Sequence, residues 1–124
     1  FYQAPKWVRK DTAVVRGFLA LQKPGVKVAF EFAHGSWFEA DALQALRDHD
    51  AALVVSDKDD APPPVLADTA SWAYLRLRRA VYTDDDLRRW QDGLREKGLA
   101  EAFVFFKHED SCAGPALARR FLDL

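Results

Sequence analysis

The sequence predicts an α/β fold in which parallel strands alternate with helices, and three observations lead there. Short apolar or alternating segments recur between stretches of helical period, in the order strand, helix, strand, helix, strand, loop or short helix, strand, helix, strand, helix. Right-handed crossovers turn that order into a parallel sheet covered by helices. Neither GxGxxG nor GxxxxGK[ST] occurs, so the phosphate-binding fingerprints of the open doubly wound class are missing and part of a barrel is favoured. The segment 26–32 also sets Lys27, Ala29 and Glu31 on one face, a poor surface to lay against helices but a natural lining for a closed barrel.

Phe1-Tyr2-Gln3 reads as the tail of a strand, broken by Ala4-Pro5-Lys6. Asp11 can cap a helix with Val14, Phe18 and Leu21 at i, i+4 and i+7, stopped by Lys23-Pro24-Gly25. Val26 to Phe32 alternates as a strand, and a helix from about Glu39 to His49 carries Ala42, Leu43 and Leu46 inward. The run Ala51 to Val55 is too short for a helix and suits one buried parallel strand. Three prolines make Lys58 to Pro64 a loop. Trp72 to Leu77 is the next strand, with Trp72, Tyr74 and Arg76 on one face and Ala73, Leu75 and Leu77 on the other. Thr83 with Asp86 opens a helix through Leu87, Trp90 and Leu94 that Gly98 ends. Phe103 to Phe106 is the last strand, and Pro115 is placed to begin a final helix.

A chain of 124 residues is one domain's worth, and its formal charge of −1 provides no global field to draw it onto nucleic acid or a membrane. Its single cysteine excludes an internal disulfide and points to a reducing compartment, so a cytoplasmic protein is expected. No apolar run approaches the ~20 residues that span a bilayer, and no signal peptide opens the chain. There is no methionine, even at position 1, and the chain begins on strand-like residues. Either a segment was removed or this is part of a longer polypeptide.

Sites in parallel α/β folds form at the carboxyl ends of the strands. Those ends supply Glu31, His34, Ser36 and Trp37; then Ser56 and Asp57; then Arg76, Arg78 and Arg79; then Lys107, His108, Glu109 and Asp110. Each group has a plainer reading. Glu31 and Arg76 can form a structural ion pair, Trp37 a lid, Asp57 a loop cap, and Arg78 with Arg79 a solvated pair. A divalent metal held by His34, His108, Glu31 and Asp57, with Glu109 as a further candidate ligand, ranks below a metal-free site, because no tight ligand spacing supports it.

The segments VAFEFAHGSWF (28–38), AALVVSD (51–57), TASWAYLRL (69–77), Tyr82 with Leu87 and Trp90, and FFKHED (105–110) before Gly114-Pro115-Ala116 resemble the YecE-like family, domain of unknown function 72. The resemblance runs the whole length of the chain. It implies a (β/α)8 TIM-type barrel of about twice this length, of which the chain is the C-terminal half, beginning in the fourth strand. It also sets Glu31, His34, Trp37, Asp57 and Arg76 on the family's recurrent polar positions at the barrel mouth. The chain departs from that pattern at Ala33, where arginine is usual, at Gly35, where proline is usual, and at Arg78-Arg79, where a histidine-glycine pair is usual.

The function expected on these grounds is hydrolysis of a phosphorylated small molecule or a phosphodiester. Arg76 and Arg78 hold the anion beside Trp37, Glu31 or Asp57 acts as general base, and His34 or His108 donates the proton. The alternative is a non-catalytic module that binds nucleic acid or a nucleotide through the same arginines and Trp37. Either way the chain requires the N-terminal half of the barrel as its partner, since open sheet edges otherwise invite association.

Overall fold

A computed structural model of the chain describes residues 1–107 and 112–124. It is a mixed α/β structure with parallel strands and falls into two compact units, residues 1–54 with 67–72 and residues 55–66 with 73–124.

The first unit is built on a three-stranded sheet in the order β1 (Tyr2–Gln3), β2 (Ala29–Glu31), β3 (Ala52–Leu53), with both pairings parallel. Between β1 and β2 runs α1 (Thr12–Ala20), whose start is fixed by Asp11: its carboxylate accepts the Val14 N–H at 3.0 Å. The chain then turns at Gly25, whose φ of +82° is a left-handed value that glycine adopts without strain. Val28, Phe30 and Phe32 alternate into a core with Val15, Leu19, Trp37 and Leu46, which leaves Ala29 and Glu31 on the opposite face of the sheet. Ladder pairing covers only Ala29–Glu31 of the expected 26–32, because the neighbours β1 and β3 are each two residues long. Val26 stays half exposed and outside that core. A 3-10 turn, Gly35–Phe38, precedes α2 (Ala40–Arg47). The returning segment 67–72 is fastened by the buried Thr69 hydroxyl, which accepts Leu53 N–H at 2.9 Å, and by Asp50, which accepts from Ser71 N–H and hydroxyl.

The second unit holds β4 (Val55–Asp57), β5 (Trp72–Leu77, of which Trp72 belongs to the first unit) and β6 (Glu101–Phe106) in that spatial order. β4 and β5 are parallel, with Val55, Ser56 and Asp57 opposite Leu75, Arg76 and Leu77. The single strand expected at 51–55 is thus two strands in two sheets, with Val54 between them: Ala52 and Leu53 pair with β2, whereas Val55 pairs with β5. Val55, Ala73, Leu75 and Leu77 pack with Tyr82, Leu87 and Phe121. Ser56, Tyr74 and Arg76 therefore occupy the other face, where the Tyr74 ring stacks on Phe105 at 4.9 Å.

α3 (Asp84–Glu96) opens with a full capping box, Thr83 and Asp86 bonding each other's backbone N–H, and Gly98 at φ +60° follows its end. α4 (Gly114–Asp123) begins one residue before Pro115, so the proline lies second in the helix. A Cβ on Gly114 would lie 2.9 Å from the Phe106 carbonyl oxygen, so the start of α4 depends on glycine. Gln91 donates to the Phe121 carbonyl and Arg120 to Asp84, tying α3 to α4. Among the described residues no helix is long and apolar enough to cross a membrane.

Candidate functional site

The carboxyl end of β4 carries two polar side chains, and the pleat sends them to opposite faces. Ser56 goes with Tyr74 and Arg76, away from the helices, and its hydroxyl accepts from Arg78 Nη2 at 2.6 Å. Ser56, Arg76 and Arg78, all half-buried, thus share one strand end. Asp57, 5% exposed, goes with Val55 toward the helices. Its Oδ2 accepts from Arg79 Nε and from the Tyr82 hydroxyl, each at 3.0 Å. The Tyr82 hydroxyl in turn accepts the Arg79 backbone N–H at 3.1 Å, while Arg79 reaches Asp86 at 3.1 Å and lies over the Tyr82 ring at 4.5 Å. The backbone N–H and hydroxyl of Thr83, then Arg79, hold the Asp86 carboxyl well below the usual range.

In the first unit Glu31 ends β2, is 6% exposed, and has Gln3 Nε2 at 3.5 Å from its carboxylate. His34 caps the 3-10 turn. Its Nδ1 accepts the Ser36 N–H at 3.2 Å and lies 2.9 Å from the Ser36 hydroxyl, which itself accepts Lys10 N–H. A neutral ring that accepts at Nδ1 carries its N–H on Nε2. Trp37 is 4% exposed, stacked flat on Phe32 at 3.9 Å, and its Nε1–H donates to the Val8 carbonyl at 2.9 Å. One ring face and the only polar atom of Trp37 are therefore engaged inside the first unit, as a core residue's would be. His108 lies outside the described residues. Among those described, no group of three or more His, Cys, Asp or Glu side chains converges as a metal site requires.

Over residues 1–124 the sequence matches the family described as Protein of unknown function DUF72. The chain belongs to the DUF72 family. Among solved structures it is similar to a DUF72 family protein from Thermotoga maritima, with 21% identity and a TM-score of 0.73 over 97% of this chain and 54% of that one. The DUF72 chain therefore spans about half the length of the solved structure it matches, and at that identity the likeness shows shared fold. No curated protein matches it.

Within this DUF72 chain the second unit brings Arg76, Arg78 and Ser56 to one face and sets Asp57 on the other. The reading of Arg78 and Arg79 as a solvated pair does not hold, since each is half-buried on a strand-end partner. Sequence reasoning missed Arg79 as the residue that meets Asp57. Parity was the available signal, because position 79 continues the Leu75 and Leu77 face and Asp57 continues that of Val55.

Burial, followed by the Asp57 charge, pushes the Tyr82 phenol up to about 12. Because the folded state holds the proton more tightly, this contribution to stability is complete below pH ~10 and is lost as pH rises toward 12. In a titration followed by tyrosinate absorbance, the Tyr82 component, identified by its absence in Tyr82→Phe, is expected well above the ordinary tyrosine range and coincident with alkaline unfolding. Its appearance near pH 10 in folded protein would show that the phenol is not held in this network.

Proposed function

We propose that this chain supplies the C-terminal half of a (β/α)8 barrel, with its helices outside, and that the barrel hydrolyses a phosphorylated small molecule or a phosphodiester. The observation that carries the reading is the cluster of Arg76, Arg78 and Ser56 at the carboxyl end of β4 and β5, on the sheet face opposite the one that packs with Leu87 of α3 and Phe121 of α4. In a barrel that face is interior, and strand carboxyl ends are where barrel enzymes hold their substrates. Two guanidinium groups beside a hydroxyl suit phosphate oxygens, which accept charge-assisted hydrogen bonds. The exposed thiol of Cys112 fits a reducing, cytoplasmic setting.

Asp57 is better assigned to the fold than to the chemistry, because Arg79 and Tyr82 engage it on the helix side. Glu31, buried on the face of its own sheet away from the helices, is the stronger candidate for the general base.

The test uses the intact protein with p-nitrophenyl phosphate and bis(p-nitrophenyl) phosphate. Turnover of one of them is expected, with kcat/KM falling at least about tenfold in Arg76→Gln, the effect of one lost charge-assisted bond. Turnover that Arg76→Gln leaves untouched would sink this reading.

One observation favours a second reading, a nucleic-acid or nucleotide-binding module. The same sheet face carries the stacked Tyr74 and Phe105 beside Arg76, an arrangement that unstacked bases accept. That reading requires salt-sensitive binding of a single-stranded oligonucleotide without product, lost in Phe105→Ala.

A further inference from the structure

The second unit contains a cleft of about 420 Å³ on the helix side of β4, away from the Ser56 and Arg76 face. Its size falls in the range of small-molecule sites. The floor is already organised. Asp57 is clamped by Arg79 and Tyr82, and Arg79 is held between Asp57 and Asp86 and over the Tyr82 ring, so these groups lose little further freedom when a ligand arrives.

The carboxylates of the lining are engaged within the unit. Asp57 and Asp86 meet Arg79, Asp86 also accepts from Thr83 and Arg89, and Asp59 accepts the Ala80 N–H at 2.8 Å. The mouth carries two cations. Lys58 is exposed and ion-paired with none of the described residues, and Arg89, its side chain 75% exposed, is ion-paired with Asp86. The remaining walls are the half-buried Trp90 indole, Ala61 and Pro63. An indole wall accepts a flat ring, and a lysine with an arginine at the rim accepts an anionic group on that ring.

We propose that this cleft is a second ligand site, taking an aromatic or heterocyclic ring that carries one carboxylate or phosphate group. It is independent of the hydrolytic reading, since none of its lining residues belongs to the Ser56, Arg76 and Arg78 cluster. Carboxylate and phosphate are told apart by the probe.

The experiment titrates the intact protein with benzoate, phenyl phosphate and inorganic phosphate and follows the Trp90 indole N–H resonance, assigned with Trp90→Phe. A saturable shift is expected with benzoate or phenyl phosphate at a Kd of about 1 mM or tighter. Whichever ring compound binds more tightly names the anionic group. Affinity should fall about fivefold or more in the double variant Lys58→Ala/Arg89→Ala, whose positions are exposed and outside the core, and stay unchanged in Arg76→Gln. No saturable shift with either ring compound overturns the proposal. So does an unchanged Kd in the double variant, loss of binding in Arg76→Gln, or inorganic phosphate binding as tightly as phenyl phosphate, since the indole wall then contributes nothing.

Discussion

Replacing Trp37 with alanine is expected to cost about 3–5 kcal/mol of stability, the range for removing a buried large aromatic. The loss has identifiable sources. The ring is 4% exposed, lies flat on Phe32 at 3.9 Å, and packs in the core that joins Phe30, Val15 and Leu46, while its Nε1–H satisfies the Val8 carbonyl. Truncation therefore leaves a cavity, removes a stacking partner and orphans an acceptor in one step. Urea unfolding of the intact protein should show a lower midpoint with the slope unchanged, and Trp37→Phe should recover part of the loss by refilling the volume. A ligand-binding platform gives the opposite pattern: an unaltered midpoint with weakened ligand affinity. That outcome would remove Trp37 from the core.

Asp57→Leu should destabilise the protein by about 3 kcal/mol, the low end for breaking a buried ion pair because Asp86 still holds Arg79. Leucine accepts no hydrogen bond, so the Tyr82 hydroxyl and Arg79 Nε each lose the oxygen they share. Tyr82→Phe removes two hydrogen bonds, the one to Asp57 and the one from the Arg79 N–H, and should cost about 2 kcal/mol. In the double variant the two losses should add to less than their sum, because the Tyr82 bond no longer exists to be broken. Strict additivity, measured by denaturation, would mean that the three residues do not act as one network.

The elements legible in the sequence are those whose boundaries have local causes. β5 spans 72–77 as its alternation indicates, and α3 starts where Thr83 and Asp86 cap it. Asp11 caps α1 for the same kind of reason. The division of 51–57 into β3 and β4 has no such cause: Val54 and Val55 are both buried, and only the identity of the neighbouring strand changes between them. Partner identity is a tertiary fact that an unbroken apolar run does not encode. β2 is shorter than its alternation for a related reason, since a ladder can be no longer than the strands beside it.

The candidate site was legible by type and only partly by place. Strand order places Ser56, Asp57, Arg76 and Arg78 at the carboxyl ends of β4 and β5. Grouping Asp57 with Arg76 overlooked the pleat, which separates neighbours on a strand by the whole thickness of the sheet. Strand-end position makes His34 a proton-donor candidate, and its nearest partner, Ser36, makes it a cap of the 3-10 turn as well. A histidine two residues before a serine at a turn is the local signal for that second role.

Gly114 has a consequence for how this family can vary. The distance between the last helix and the last strand is set there by the absence of a methyl group, since a Cβ would meet the Phe106 oxygen at 2.9 Å. Any other residue becomes a wedge at the point where the helix leaves the sheet. The gap would widen toward Phe121, whose ring packs on Phe106 at 5.8 Å, and water would reach the apolar layer between them. Substitutions tolerated at position 114 should therefore be accompanied by bulkier side chains opposite it, so that the pair of positions drifts together through evolution rather than singly.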